Sequence, residues 1–329
     1  MPALDDGLNV PKSTCTGNKK ALLIGINYPG TKAELRGCIN DVANVKEKLL
    51  VGRFKFPTDK EHMRVLTDDG KGDAQPTRAN MIAGFKWLLE NAKANDSLFL
   101  HYSGHGGSQK DVDPNTDEVD GTDETWCPCD YDSAGQIVDD ELWEILVKPL
   151  PSGVRLTVLS DACHSASVLD TPFLYTVDGK LGNLQIHEFD MRKLVMEAAM
   201  KAGKAFMVGD KATALKAGVD AAKSLLQGST AAKSNPDALN RAVQIRSSLG
   251  DVIVFSGCLD NQTSADATIG GAPTGAMSWA LIETFNEKQD LTYAELLKAI
   301  RTKLDGKFTQ IPQMSSASKL KLDTTKFIL

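Results

Sequence analysis

The sequence predicts an α/β fold: a mostly parallel central sheet with helices on both faces. Three observations predict it. Runs rich in apolar and β-branched residues at 21–26, 97–102, 154–159 and 251–256 have the length of buried strands. The segments between several of them repeat their apolar residues with the 3.6-residue helical period. Strands alternating with helices build a parallel sheet covered on both sides.

Residues 1–19 are polar, without clear periodicity, and read as a flexible N-terminal arm. The first strand, 21–26, is closed by the turn Asn27-Tyr-Pro-Gly30. A helix over 41–50 places Val42, Val45 and Leu49 on one face. Residues 63–66 form a short strand, and Thr77 caps a helix carrying Met81, Phe85 and Leu88. The strand 97–102 runs into a glycine-rich turn, Ser103-Gly-His-Gly-Gly107. Residues 111–124 form a loop with seven carboxylates, Asp139 and Asp140 open a helix, and Pro149 stops it. The strand 154–159 ends beside Cys163. Residues 188–248, rich in Ala and Lys and broken by glycines, read as an insertion of short helices that is too poor in large apolar residues to build its own core. After the strand 251–256 come helices over 273–285 and 291–304, the second with Thr292 and Glu295 as a capping box. Residues 20–329 thus read as one domain with an insertion.

A chain of 329 residues with 42% hydrophobic and 24% charged residues is ordinary for a globular protein. A net charge of −6 argues against nucleic acid or an anionic membrane as partner. No signal peptide or membrane-spanning run is visible, so the expectation is a cytoplasmic protein. Its six scattered cysteines read as reduced thiols. A monomer is expected.

Ligands of open α/β sheets bind at the carboxyl ends of the strands. Cys163 stands at such an end. On position alone it reads first as a small buried residue. A nucleophilic thiol needs a base or a cationic neighbour. Of five histidines, His62 and His187 lie in polar connectors, His101 inside a strand, and His164 adjacent to the thiol, where side chains diverge. His105 follows another buried strand and sits between glycines. It reads either as a turn residue or, if the two strands are neighbours, as the base of a Cys–His dyad. The backbone N–H groups of Gly106 and Cys163 are candidate oxyanion donors.

The residues Ala21-Leu-Leu-Ile-Gly-Ile-Asn-Tyr28, Leu35-Arg-Gly-Cys-Ile-Asn-Asp41, Pro76-Thr-Arg-Ala-Asn80, His101-Tyr-Ser-Gly-His-Gly106, Ile137-Val-Asp-Asp140, Asp161-Ala-Cys-His-Ser165, Ser256-Gly-Cys-Leu-Asp-Asn-Gln-Thr-Ser-Ala-Asp266 and Pro312-Gln313 stand in that order over most of the chain. In this series the chain resembles the type I metacaspases of the caspase-like clan of cysteine peptidases. The resemblance implies a caspase-like three-layer sandwich, His105 as base, Cys163 as nucleophile, and cleavage of protein or peptide substrates after Arg or Lys. It matches Cys38, Asp41, Ser103 and Asp161 to the pocket that binds the basic side chain. Two carboxylates facing a guanidinium make charge-assisted hydrogen bonds and reject an acidic side chain. Asp41 also reads as an acidic residue at a helix start, favoured by the dipole.

The resemblance further implies calcium as cofactor, bound by Asp123, Asp139, Asp140 and Asp170. The alternation of Asp111, Asp113, Asn115 and Asp117 first suggests an EF-hand, but Thr116 and Thr122 stand where glycine and a bidentate glutamate are required. Self-cleavage after basic residues such as Lys180, Arg192, Lys193 or Lys201 is also expected. Ala162 and Ala166 replace a small polar residue and a glycine of the family pattern. They are the basis of an alternative reading: a caspase-fold pseudopeptidase, or a regulatory protein that binds rather than cuts. A nucleotide-binding reading fails, since neither a dinucleotide nor a P-loop glycine pattern is present. A zinc site from Cys127, Cys129, Cys163 and His164 has the wrong spacing, and Cys129 reads as a packing residue.

Overall fold

The computed structural model describes residues 10–110, 122–162, 169, 171, 173–177, 184–188, 250–257, 266–269, 272–305, 307 and 312–329. In chain order the strands are β1 (Lys19–Gly25), β2 (Met63–Thr67), β3 (Ser97–Ser103), β4 (Gly106–Lys110), β5 (Thr122–Trp126), β6 (Ile137–Val138), β7 (Arg155–Asp161), β8 (Phe173–Val177), β9 (Leu184–Glu188), β10 (Asp251–Ser256), β11 (Asp266–Ile269), β12 (Ala272–Gly275) and β13 (Gln313–Ser316). The helices are α1 (Cys38–Asn44), α2 (Arg78–Leu89), α3 (Tyr131–Ala134), α4 (Asp139–Leu142), α5 (Ala276–Glu287) and α6 (Tyr293–Leu304).

Among the described residues, eight strands form the central sheet in the order β2-β1-β3-β7-β10-β13-β8-β9. The first five of that order are parallel, and β13, β8 and β9 add antiparallel strands at one side. The expected mostly parallel sheet is therefore present. The side chains of its strands alternate between two cores. Ala21, Leu23, Phe99, Leu159, Ile253 and Phe255 meet α1, α5 and α6, while Leu22, Leu98, Leu156, Val158 and Val254 meet α2 and α4. That is the three-layer sandwich implied by the resemblance.

Local chemistry sets the helices. Thr77 accepts from the Asn80 N–H at the start of α2, and Thr292 and Glu295 form the expected capping box of α6. Each such cap stabilises by about 1 kcal/mol. The helices expected over 41–50 and from Asp139 both pass into π-helical turns, Val45–Arg53 and Trp143–Val147. Their ends carry i→i−5 bonds, Phe54 N–H to Leu49 O and Lys148 N–H to Trp143 O, both 3.0 Å.

Several elements differ from the sequence reading. The arm is not free where it is described: Val10, Ser13 and Cys15 are buried. The Ser13 N–H donates to Asp251 Oδ2 at 3.2 Å and Lys12 Nζ pairs with Asp251 Oδ1 at 3.2 Å. This docks the segment at the amino ends of the strands, away from the carboxyl-end loops. There the buried Asp251 also accepts from Arg155 Nε at 2.8 Å. Burial of this ion pair lets polar residues start two central strands without an uncompensated charge. Pro273 lies in β12, a hairpin partner of β11, so the helix expected from residue 273 begins only at Ala276. His187 lies in β9 and not in a connector, Gly106 and Gly107, read as part of a turn, open β4, and residues 122–124, read as the end of the acidic loop, lie in β5. The proposed insertion falls, after Glu188, on 189–249, outside the described residues. No helix among the described residues is long and apolar enough to cross a membrane.

Candidate active site

β3 and β7 are adjacent and parallel, with Ser103 opposite Asp161. The offset of that register is 58 residues, the same as the separation of His105 and Cys163. Cys163, His164, Ala166 and Asp170 lie outside the described residues. Ala162, the last described residue before the cysteine, is fully buried.

His105 follows β3 after one residue, Gly104, and is half-buried. Its Nε2 lies 2.7 Å from the carbonyl oxygen of Ala33. A carbonyl only accepts, so Nε2 carries a proton, and in the neutral ring the lone pair is then on Nδ1. The Tyr28 ring covers the imidazole, with centroids 4.8 Å apart. His101, within β3, is wholly buried against α5, with Nε2 3.1 Å from Ser278 Oγ. Burial lowers its pKa to about 3, so it stays neutral and has no access to substrate.

Three of the four expected pocket residues converge. Asp41 on α1 accepts from Ser103 Oγ at 2.8 Å, from Thr274 Oγ1 at 2.5 Å and from the Gly275 N–H at 2.7 Å. Asp161, at the end of β7, accepts from the Met277 and Ser278 N–H groups at 3.0 and 2.9 Å. It therefore caps the amino end of α5, where the helix dipole favours a carboxylate. Gly275 packs against both acids. A Cβ there would sit 2.6 Å from Asp161 Cγ and 2.8 Å from Asp41 Oδ2, so the close approach requires glycine. Cys38, the fourth residue, is buried at the start of α1, where its N–H donates to Asn27 Oδ1 at 3.1 Å. Burial first, and the facing charge of Asp161 second, raise the pKa of Asp41 to about 7. Burial also raises that of Asp161. Asp41 is thus not a simple helix-start residue: its carboxylate ties α1 to β3 and to the β12–α5 junction.

Thr274, Gly275 and Ser278 escape sequence reasoning, because only tertiary structure brings them to residues more than a hundred positions away. Ala33 escapes it because its contribution is a backbone carbonyl.

Asp139 is wholly buried and accepts from the Glu124 and Asp140 N–H groups, both at 2.9 Å. The pairing of β5 with β6 puts Thr125 opposite Val138 and stops there, because α4 begins at Asp139. The Asp123 side chain lies outside the described residues, like Asp170. Among the described residues no cluster of three or more His, Cys, Asp or Glu side chains is arranged to hold a metal. Cys127 is buried, and burial raises the pKa of the half-buried Cys129 to about 11, which disfavours a zinc-binding thiolate there.

Residues 19–172 match the family described as metacaspase, peptidase C14 domain. The chain is 46% identical over 321 residues to Metacaspase-1 of Eremothecium gossypii, spanning 96% of this chain and 68% of that protein. It is 45% identical over 312 residues to Metacaspase-1 of Schizosaccharomyces pombe, at 94% and 70% coverage. With Metacaspase-1A of Aspergillus niger it shares 44% over 315 residues, at 95% and 74% coverage. A Geobacter sulfurreducens protein of known crystal structure superposes with a TM-score of 0.56 at 23% identity, over 95% of this chain and 99% of that one, a likeness of fold alone. With its caspase-like sheet, this chain belongs to the metacaspase family of cysteine endopeptidases.

Proposed function

We propose that the chain hydrolyses peptide bonds after Arg or Lys, with Cys163 as nucleophile and His105 as its base. The observation that carries this reading is the β3–β7 register, whose offset equals the spacing of the two residues. His105 Nδ1 takes the thiol proton. The thiolate attacks the scissile carbonyl, and the imidazolium returns the proton to the leaving amine. Water then hydrolyses the acyl-enzyme. Cys127 N–H donates to His105 O, so the following pair of the β4–β5 ladder, Gly106 and Trp126, turns its N–H groups outward. That supports Gly106, with the Cys163 N–H, as donor to the oxyanion. The Asp41–Asp161 pair supports a basic residue as the specificity element. Substrates with basic residues at the cleavage site are then the partners. The alternative, a fold that binds without cutting, rests only on Ala162 and Ala166.

Calcium is the cofactor of this reading. The oxygen-only donor set and the buried Asp139 beside Asp140 fit a hard dication, with Asp123 and Asp170 completing the set. When bound, the ion would neutralise carboxylates that otherwise repel one another and, through Asp170, would tether the segment after Cys163. The test is hydrolysis of an Arg peptide under chelation and with rising calcium, in wild type and Asp140→Ala. Chelated wild type is expected to lose most activity and Asp140→Ala to need more calcium. Full activity under chelation would overturn the calcium assignment.

Self-processing belongs to the same reading. Incubation of the pure protein with calcium is expected to give fragments ending in Lys or Arg, with candidate bonds after Lys180, Arg192, Lys193, Lys201 and other basic residues before Asp251. Fragments that also form in the Cys163→Ala protein would come from another protease and overturn it.

A further inference from the structure

We propose that Tyr28 is a positioning residue for the base, holding the backbone and ring of His105 so that Nδ1 is presented as the proton acceptor. The inference rests on His105 being that base, and deepens it.

A hydrogen-bonded pair in an antiparallel ladder exchanges two N–H···O=C bonds. At the His105–Cys127 pair one is present, Cys127 N–H to His105 O at 3.1 Å. The second is replaced by a side chain. His105 N–H donates to Tyr28 Oη at 3.0 Å, and Tyr28 Oη donates to Cys127 O at 2.6 Å. The hydroxyl is inserted into the ladder as a spacer, and both its donor and its acceptor capacity are used there. Tyr102 Oη adds a bond to His105 O at 2.7 Å. The residue between strand and histidine must leave room for both hydroxyls. A Cβ on Gly104 would come within 2.9 Å of Tyr102 Oη and 3.1 Å of Tyr28 Oη. The glycine before His105 is thus explained by the tyrosines.

The Tyr28 ring lies over the imidazole at 40°. The loop that carries it also supplies the Ala33 carbonyl on Nε2. One loop therefore restrains His105 at its backbone, its face and its distal nitrogen. The loop is held under strain. Tyr28 has φ 49°, a region that a bulky residue seldom adopts. Asp68 keeps it there, accepting from the Asn27 N–H at 3.0 Å and the Tyr28 N–H at 2.6 Å. A tyrosine that only filled space would need neither the strained backbone nor the inserted hydroxyl. Burial raises the Tyr28 pKa, so the hydroxyl remains a donor over the working pH range.

The test compares wild type, Tyr28→Phe, Asp68→Ala and His105→Ala in the full chain. One readout is kcat and KM on an Arg peptide across pH. The other is the pH dependence of iodoacetamide labelling at Cys163, followed by mass spectrometry because the chain has six cysteines. Tyr28→Phe keeps the ring and removes the spacer. It is expected to lower kcat by about tenfold or more with KM within about twofold, the mark of lost orientation. It is expected to shift the pH profile of labelling, with Asp68→Ala showing the same changes in smaller measure. Wild-type kcat and pH profiles in a folded Tyr28→Phe protein would overturn the inference and leave the dyad standing. A lower melting temperature with unmoved pH profiles would reduce Tyr28 to a structural residue, and also overturn it. Wild-type hydrolysis in His105→Ala would instead remove the base assignment itself, and the inference with it.

Discussion

Cys163→Ala and His105→Ala are each expected to abolish hydrolysis of Arg peptides, with kcat falling on the order of 10⁴-fold or more. The reasoning is chemical. Alanine has no thiolate to form the acyl-enzyme, and without the imidazole the thiol stays largely protonated at neutral pH. Members of one catalytic unit are not additive. The double variant is therefore expected to be about as slow as either single one. His105 belongs to neither hydrophobic core, so the thermal midpoint of His105→Ala should stay near wild type. Retained activity in Cys163→Ala would end the assignment. Retained activity in His105→Ala would send the search for a base elsewhere, and not to His101, which is sealed beneath α5.

The elements of the fold differ in how far they can be read from sequence, and the reason is burial chemistry. β1, β3, β7 and β10 announce themselves because strands buried on both faces carry continuous apolar runs. β13 does not: Gln313, Ser315 and Ser316 are polar although all are buried, and only Met314 contributes to the apolar core. Its strand state comes from pairing with β10 and β8, a tertiary effect with no local signature. Capping chemistry is local, so Thr77, Thr292 and Glu295 are legible. The π-helical turns are not, because a shift from i−4 to i−5 bonding leaves the apolar spacing nearly unchanged. The same division runs through the site. His105 can be found from a strand end, and Asp161 from the family resemblance. Tyr28 reads in sequence only as part of a turn. Its link to His105 spans 77 positions and passes through a hydroxyl in a ladder.

Asp161→Ala is expected to cost several kcal/mol of transition-state stabilisation on Arg and Lys peptides, about 10²-fold or more in kcat/KM. The loss has two parts that can be separated. Asp161 caps α5, so alanine strands the Met277 and Ser278 N–H groups and lowers the thermal midpoint. In the proposed reading it also removes one of the two carboxylates that would face a substrate cation. Asp41→Asn keeps an acceptor for Thr274 and Gly275 while removing only charge, so its kcat/KM loss should come with little loss of stability. The pH dependence follows from the same pair. Asp41 titrates near 7 because burial and Asp161 both oppose its ionisation. The native state therefore holds a proton that the unfolded chain releases near 4. Stability from this group falls as pH rises from about 4 to about 7, then levels off. A guanidinium favours the ionised form, so its binding expels the proton. KM for an Arg peptide should accordingly fall as pH rises through about 7, and Asp41→Asn should flatten that dependence. Cleavage after Asp as fast as after Arg, or an Asp161→Ala protein that keeps its Arg activity, would show that these two acids serve the β12–α5 junction alone.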